Sequence, residues 1–209
     1  MSNIRDIIFD MDGTLIDSSD VISNSINHVR HKIGLRPLQK EDILKVVNDI
    51  KTPSSIYFYE SQEFLPEHIS WFQDYYTLHH EDEVKAYDGV IEMLKRLKDE
   101  KSLALATNAY RVSALQILKH LDMEKYFEIV VCGDDVERSK PHPDMIKKII
   151  SHFDSHKDRV VVVGDSIKDR ESASRAGVKS ILVNFGFTDR VDDALTSIVD
   201  LEKVLLGVK

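Results

Sequence analysis

A chain of 209 residues can bury one sizeable core, or one core plus a small inserted domain. Hydrophobic residues make up 42% and charged residues 31%, as in ordinary globular proteins, and a formal net charge of -8 argues against wrapping nucleic acid or lying on an acidic membrane. The single cysteine, Cys132, excludes an intrachain disulfide, and no apolar run approaches the roughly 18 residues of a membrane span, so the expected setting is a reducing cytoplasm with nothing cleaved.

Ile4 to Asp10 is a short apolar run and predicts a buried strand. Ser18 or Ser19 can cap a helix that runs to about Gly34. From there to about Tyr87 the chain reads helical, broken by Pro37, Pro53 and Pro66 at helix starts. Trp71 with Tyr57, Phe58, Tyr59, Phe64 and Phe72 suggests a miniature aromatic core, and no strand is expected there. His79 and His80, beside Glu81, Asp82 and Glu83, read as a solvated hinge rather than a metal site. Beyond Asp88 the pattern alternates. Helices are expected at Val90 to Leu97, Val112 to Leu121, Asp144 to Phe153, Lys168 to Ala176 (closed by Gly177) and Ala194 to Leu206. Strands are expected at Leu103 to Ala106, Ile129 to Val131, Val160 to Val163 and Ser180 to Val183. Such alternation predicts an α/β fold, a parallel sheet with helices on both faces.

Ligands of these folds sit at the carboxyl ends of the strands. Asp10, Thr107 with Asn108, and Asp165 each fall just past such an end, and Lys140 precedes a helix. Four segments therefore aim polar chemistry at one sheet edge.

Each segment also has a plainer reading. Asp10 and Asp12 are two apart, so in extended chain they face the same way. Like charges that close push their pKa values apart, leaving one carboxylate as nucleophile and the other protonated as general acid. Gly13 permits a sharp turn behind them; alone, the pair could be a capped strand end. Thr107 and Asn108 can donate to phosphoryl oxygens, or can cap a helix. Lys140, stiffened by Pro141 and Pro143, can neutralise phosphate and hold the nucleophile, or can be a solvated lysine. Asp165 with Asp10 can offer oxygens to a hard cation such as Mg²⁺, with Asp169 in support, although Asp165 and Ser166 also suit a helix start.

Together the segments Asp10-Met11-Asp12-Gly13-Thr14, Ala106-Thr107-Asn108, Lys140-Pro141-His142-Pro143-Asp144 and Gly164-Asp165-Ser166 resemble the haloacid dehalogenase superfamily, and within it the phosphoglycolate phosphatase-like phosphatases. Tyr87-Asp88-Gly89-Val90 and Ala176-Gly177 extend the likeness over essentially the whole chain, while Asp169-Arg170-Glu171-Ser172-Ala173 departs mildly from the usual Asp-x-x-Ala-Ala. The resemblance implies a Rossmann-like core, residues 1–16 and 87–209, with an inserted all-helical cap, residues 17–86. It implies a Mg²⁺-dependent phosphatase acting on a small phosphorylated metabolite through an aspartyl phosphate. Asp10 would attack phosphorus. Asp12 would be the acid and then the base, and would also ligate the metal through its backbone carbonyl. Thr107, with Asn108, would hold a phosphoryl oxygen, Lys140 would neutralise charge, and Asp165 would ligate the metal with Asp169 behind it. In this family the turn carrying Lys51 dips over the active site, so Lys51 is a candidate to meet a second anionic group of the substrate.

The competing readings are a phosphomutase of the same superfamily and a phospho-acceptor signalling module. Thr14 and Ile22 stand where the family's sugar mutases carry Val and His, and a receiver module is far shorter. The chain is expected as a monomer or homodimer. Cys132 is expected as a small buried residue, and the nine histidines form no ligand-spaced cluster with it.

Overall fold

Strand β1 (Asp6–Phe9) sends alternate residues to two different cores. Ile7 and Phe9 join one hydrophobic cluster, and Ile8 joins another across the sheet. The same alternation runs through β4 (Ser102–Ala106) and β6 (Val160–Gly164): Leu103, Leu105, Val161 and Val163 face the first cluster, and Ala104, Ala106, Val160 and Val162 the second. A strand buried on both faces needs apolar side chains at consecutive positions, and this explains the short unbroken runs in the sequence. The computed structural model describes residues 4–187 and 192–207. The parts of the expected core at 1–3, 188–191 and 208–209 lie outside them.

With β5 (Ile129–Val131) and β7 (Lys179–Leu182), these strands form one sheet in the order β5-β4-β1-β6-β7, parallel throughout. Helices α5 (Val90–Lys98), α6 (Arg111–His120) and α9 (Ile198–Leu206) supply Met93, Leu94, Ile117 and Leu201 to the first cluster. Helices α7 (Asp144–Phe153) and α8 (Ile167–Ala176) supply Ile146, Ile149 and Ala173 to the second. The α/β reading is therefore correct. The chain leaves β1 toward β4 on one side and leaves β6 toward β7 on the other. The crevice at the carboxyl ends of β1 and β6 is thus a topological switch point.

Between β1 and α5 lies a helical block: α1 (Ser19–Lys32), α2 (Lys40–Asn48), α3 (Ser54–Tyr59) and α4 (Pro66–Glu83). It has its own cluster of Ile26, Val29, Ile43, Val46, Phe58 and Tyr59, with Trp71 and Phe72 against it. The buried Arg30 donates from Nε to the Arg36 carbonyl at 2.7 Å and from Nη1 to the Phe58 carbonyl, tying α1 to the chain on either side of α2.

Four local expectations need correction. The block is entered and left through a small antiparallel ribbon, β2 (Ile16–Asp17) on β3 (Lys85–Ala86), where no strand was expected. Two residues per strand are too few to show a sequence period. Tyr57 and Phe64 stand 38% and 45% exposed rather than in the miniature core. His79 and His80 lie inside α4, not in a hinge, and His80 is buried with Nδ1 2.9 Å from the Thr77 carbonyl. Helix α9 starts at Ile198, because Leu195 bridges to Val183 and Ser197 accepts from the Asp200 N–H. Cys132 is free and fully buried, and burial pushes its thiol up to about 11. Among the described residues no helix is long and apolar enough to cross a membrane.

Candidate active site

The first residue past β1 is Asp10, whose N–H still pairs with the Val163 carbonyl at 2.8 Å. Strand geometry therefore fixes its backbone before any side chain acts. The chain then turns: Gly13 N–H donates to the Ile16 carbonyl at 2.9 Å, with Gly13 at φ +79°. A Cβ on Gly13 would come within 2.5 Å of Asp165 Oδ2 and 2.9 Å of the Phe187 ring. Only glycine allows both that φ and that approach.

Lys140 is the hub. Its buried ammonium donates to Asp10 Oδ1 at 2.5 Å, Asp169 Oδ1 at 2.6 Å and the Ala106 carbonyl at 2.8 Å. All three of its N–H bonds are used. Burial alone would lower the Lys140 pKa, but Asp10 and Asp169 outweigh it and hold the group above the ordinary lysine range. Asp169 spends Oδ1 on Lys140 and Oδ2 on the Ser166 hydroxyl at 2.6 Å and N–H at 3.2 Å. It thus tethers both Lys140 and the start of α8.

Asn108 makes a two-way brace with the Lys140 backbone. Its Nδ2 donates to the Lys140 carbonyl at 2.9 Å, and its Oδ1 accepts from the Lys140 N–H at 3.0 Å. Its carboxamide is turned first to this brace rather than to a phosphoryl oxygen. Thr107 Oγ1 accepts from Ala109 N–H at 3.1 Å and lies 3.5 Å from Asp12 Oδ2. Asp12 is half-buried and takes a 2.5 Å hydrogen bond at Oδ1 from Ser18. Ser18 was expected as a helix cap; it makes no cap bond and turns to Asp12 instead.

Burial raises the pKa of all three unprotected carboxyls. Asp10 rises to about 7, chiefly through desolvation, with Lys140 pulling the other way and Asp169 and Asp12 adding to the rise. Asp12 rises through desolvation, against the hydrogen bond from Ser18. Asp165 rises well above the carboxylate range through desolvation and the fields of Asp10 and Asp169.

The site also holds residues that sequence reasoning missed. Asn48, at the end of α2, donates to Asp165 Oδ2 at 2.9 Å. Lys168 donates to the Val47 carbonyl, and its ammonium pKa is lowered by burial and then by Lys140. Asn48 and Asp165 are 117 positions apart, so no spacing could pair them. Lys168 had a weak signal, three residues past Asp165 at a helix start. Lys51, by contrast, stands exposed on the turn, where its N–H is held by Asp49, and it is not among the residues lining the cavity.

That cavity, about 360 Å³, opens directly onto Asp10, Asp12, Thr107, Lys140 and Asp165. A second, more polar recess of about 660 Å³ shares Ser54, Phe64, Asn108, Lys140 and Lys168 with it and lies against the turn 49–53.

Carboxylate oxygens of Asp10, Asp165 and Asp169 lie within 4.8 Å of one another. Asp169 is fully engaged, whereas Asp10 Oδ2 and Asp165 Oδ1 accept no hydrogen bond from the described residues. Among the described lining residues, four carboxylates are set against the two ammonium groups of Lys140 and Lys168. A surplus of hard oxygen donors fits a small divalent cation such as Mg²⁺.

The sequence profile of the haloacid dehalogenase-like hydrolases matches residues 7–183. A relative from Halalkalibacterium halodurans named pyrophosphatase PpaX is 28% identical over 183 residues, covering 87% of this chain and 84% of the relative. A Bacillus cereus protein of the same name is 28% identical over 188 residues, covering 90% of this chain and 86% of its own length. Among solved structures, a predicted phosphatase from Clostridium acetobutylicum superposes with a TM-score of 0.86 at 27% identity, covering 99% of this chain and all (100%) of that one. A predicted phosphoglycolate phosphatase from Haemophilus somnus gives 0.82 at 22%, covering 98% and 99%, a likeness of fold.

Proposed function

The chain belongs to the haloacid dehalogenase-like hydrolases, and we propose that it is a Mg²⁺-dependent phosphatase that hydrolyses a small-molecule phosphate monoester through a phosphorylated Asp10. Residues 1–16 and 87–209 carry the chemistry, and 17–86 form a cap that selects the substrate. The phosphatase and pyrophosphatase names of its relatives support phosphate as the group attacked. The free, buried Cys132 suits a reducing cytoplasm.

One observation carries the reading: Lys140 pins Asp10 Oδ1 at 2.5 Å, while Asp10 Oδ2, at the cavity floor, has no donor among the described residues. A carboxylate held by one oxygen presents the other in a fixed direction. Asp10 Oδ2 forms the new bond to phosphorus as the bond to the leaving oxygen breaks. That oxygen takes the proton from Asp12, whose raised pKa suits it to hold one. A water then attacks the aspartyl phosphate. Asp12 accepts the water's proton, the bond between Asp10 and phosphorus breaks, and the Asp10 carboxylate and free phosphate are restored.

Thr107 would donate to a phosphoryl oxygen, and Asn108 acts by bracing Lys140. Asp10, Asp165 and the Asp12 carbonyl would hold Mg²⁺, which when bound supplies charge neutralisation at the phosphoryl oxygens. Release of inorganic phosphate from an aryl phosphate with Mg²⁺ present, followed by mass analysis of quenched enzyme for phosphorylated Asp10, tests the reading. No turnover of any phosphate ester would overturn it.

A further inference from the structure

The walls and floor of the cavity differ in chemistry. Asp10, Asp12, Lys140, Asp165, Lys168 and Asp169 all come from the sheet side. The helical block lines most of the remainder, chiefly with apolar and aromatic side chains beside Asn48, Ser54 and Gln73, and among the described residues it contributes no aspartate, glutamate, lysine or arginine. Ile22 and Ile26 of α1 form one wall, and Phe58 of α3 with Ile69, Phe72 and Tyr76 of α4 form another. The block's one lining imidazole, His68, is buried, and its Nδ1 accepts from the Leu65 N–H at 3.4 Å. Lys140 spends its three N–H bonds on Asp10, Asp169 and the Ala106 carbonyl, and Lys168 donates to the Val47 carbonyl from the sheet side of the cavity.

We infer that the substrate is a phosphate monoester of an apolar alkyl or aryl alcohol, with its hydrocarbon part seated against α1, α3 and α4. This rests on the phosphatase reading above. A second phosphoryl group or a carboxylate against α1, α3 and α4 would meet mostly apolar walls, with no lysine or arginine among the described lining residues of the helical block, and burying such a charge unpaired is strongly unfavourable. A hydrocarbon there loses only its contact with water, which is favourable in proportion to its area. The cavity's size is at the lower end for ligand sites, enough for the phosphoryl group and a short chain or single ring. The chain therefore differs in substrate from relatives named for pyrophosphate.

The n-alkyl phosphates test this, because lengthening the chain changes burial while leaving the chemistry of the departing alkoxide nearly constant. With Mg²⁺ present, kcat/KM is measured for ethyl, butyl and hexyl phosphate, and for pyrophosphate and phosphoglycolate. The expected gain is roughly fourfold per methylene while the chain remains inside the cavity. Ile69→Asn, which makes the wall polar and removes apolar contact area, should reduce kcat/KM for hexyl phosphate by a larger factor than for ethyl phosphate. A flat alkyl series, or faster turnover of pyrophosphate or phosphoglycolate than of hexyl phosphate, overturns the substrate class and leaves the phosphatase reading standing. No phosphate release from any of the five overturns both.

Discussion

Asn48 Nδ2 lies 2.9 Å from Asp165 Oδ2, so a residue of the helical block holds a carboxylate of the catalytic floor. Lys168 returns the contact by donating to the Val47 carbonyl, one residue earlier. A cation beside the last carbonyls of α2 also suits the negative end of that helix. These two hydrogen bonds tie the helical block to the sheet side at the cavity edge. Replacing Asn48 by alanine removes a hydrogen bond to the buried Asp165 carboxyl and leaves that oxygen unpaired, at a cost of about 1–3 kcal/mol. The expected result is faster amide exchange in α2 and KM raised about tenfold, with a smaller change in kcat. Unchanged exchange and unchanged KM would show that the contact does not hold the two parts together.

Asp10→Asn should abolish turnover and keep the fold. The asparagine oxygen still accepts from Lys140, so the hub around Asp169 and Ala106 survives, but the amide is not a nucleophile. Phosphate release at the wild-type rate, with deamidation excluded by intact mass, would rule out the covalent route.

The sheet and the polar cluster at its carboxyl edge were legible in the sequence for a shared physical reason. Strands buried on both faces force continuous apolar runs, and the polar residue that ends each run, Asp10, Thr107 or Asp165, marks a carboxyl end. What was not legible depends on contacts between distant segments. Ser18 looks like any helix cap until the turn at Gly13 swings it onto Asp12. Asn48 and Lys168 become site residues only once the block folds back over α8. Lys51 was read from the position of its turn, but the side chains of the turn do not all point inward; Asn48 does and Lys51 stands exposed.

Asp12→Asn should slow turnover by about 10²–10⁴-fold, the usual value of a positioned acid–base group, while phosphate still binds. Ser18→Ala removes only the hydroxyl that orients Asp12 Oδ1, so its loss should be smaller, about tenfold, the scale of one hydrogen bond. Measured kcat decides both. A larger effect for Ser18→Ala than for Asp12→Asn would move the acid role away from Asp12.

Removing the metal should stop catalysis, and Mg²⁺ should restore it better than Ca²⁺, whose larger and looser shell suits in-line transfer less well. It should also expose a pH dependence of stability. In the metal-free protein the pKa of Asp10 is raised from 3.8 to about 7, so the folded state binds a proton that the unfolded state has already released. The part of stability that Asp10 contributes therefore falls as pH rises from about 4 to about 7. Melting with excess chelator at pH 5.5 and 7.5 should show the higher Tm at the lower pH, and Asp10→Asn should narrow the difference, with the raised Asp12 and Asp165 carrying the remainder. Equal Tm values in chelator for the unsubstituted protein, or full activity without metal, would contradict the arrangement of charges proposed for the floor.

Gly164, the last residue of β6, offers a test of Lys140 that leaves every proposed catalytic side chain in place. A Cβ at this position would lie 2.2 Å from Asp169 Cγ and 2.4 Å from Asp169 Cβ. These atoms belong to a buried side chain held at both oxygens, so they cannot swing aside as the tip of a surface residue could. Gly164→Ala must push α8 and Asp169 away from the strand. Overpacking of this kind costs about 1–3 kcal/mol, and the displaced Asp169 no longer meets Lys140 at hydrogen-bond distance. Lys140 then loses one of three acceptors, and with it the fixed direction in which it holds Asp10. The expected outcome is a Tm lower by several degrees and a kcat reduced at least tenfold, with KM changed less, because alignment of the nucleophile matters most in the transition state. A variant that melts lower but keeps its kcat would show that Asp169 supports the fold alone, and that Lys140 holds Asp10 without its help.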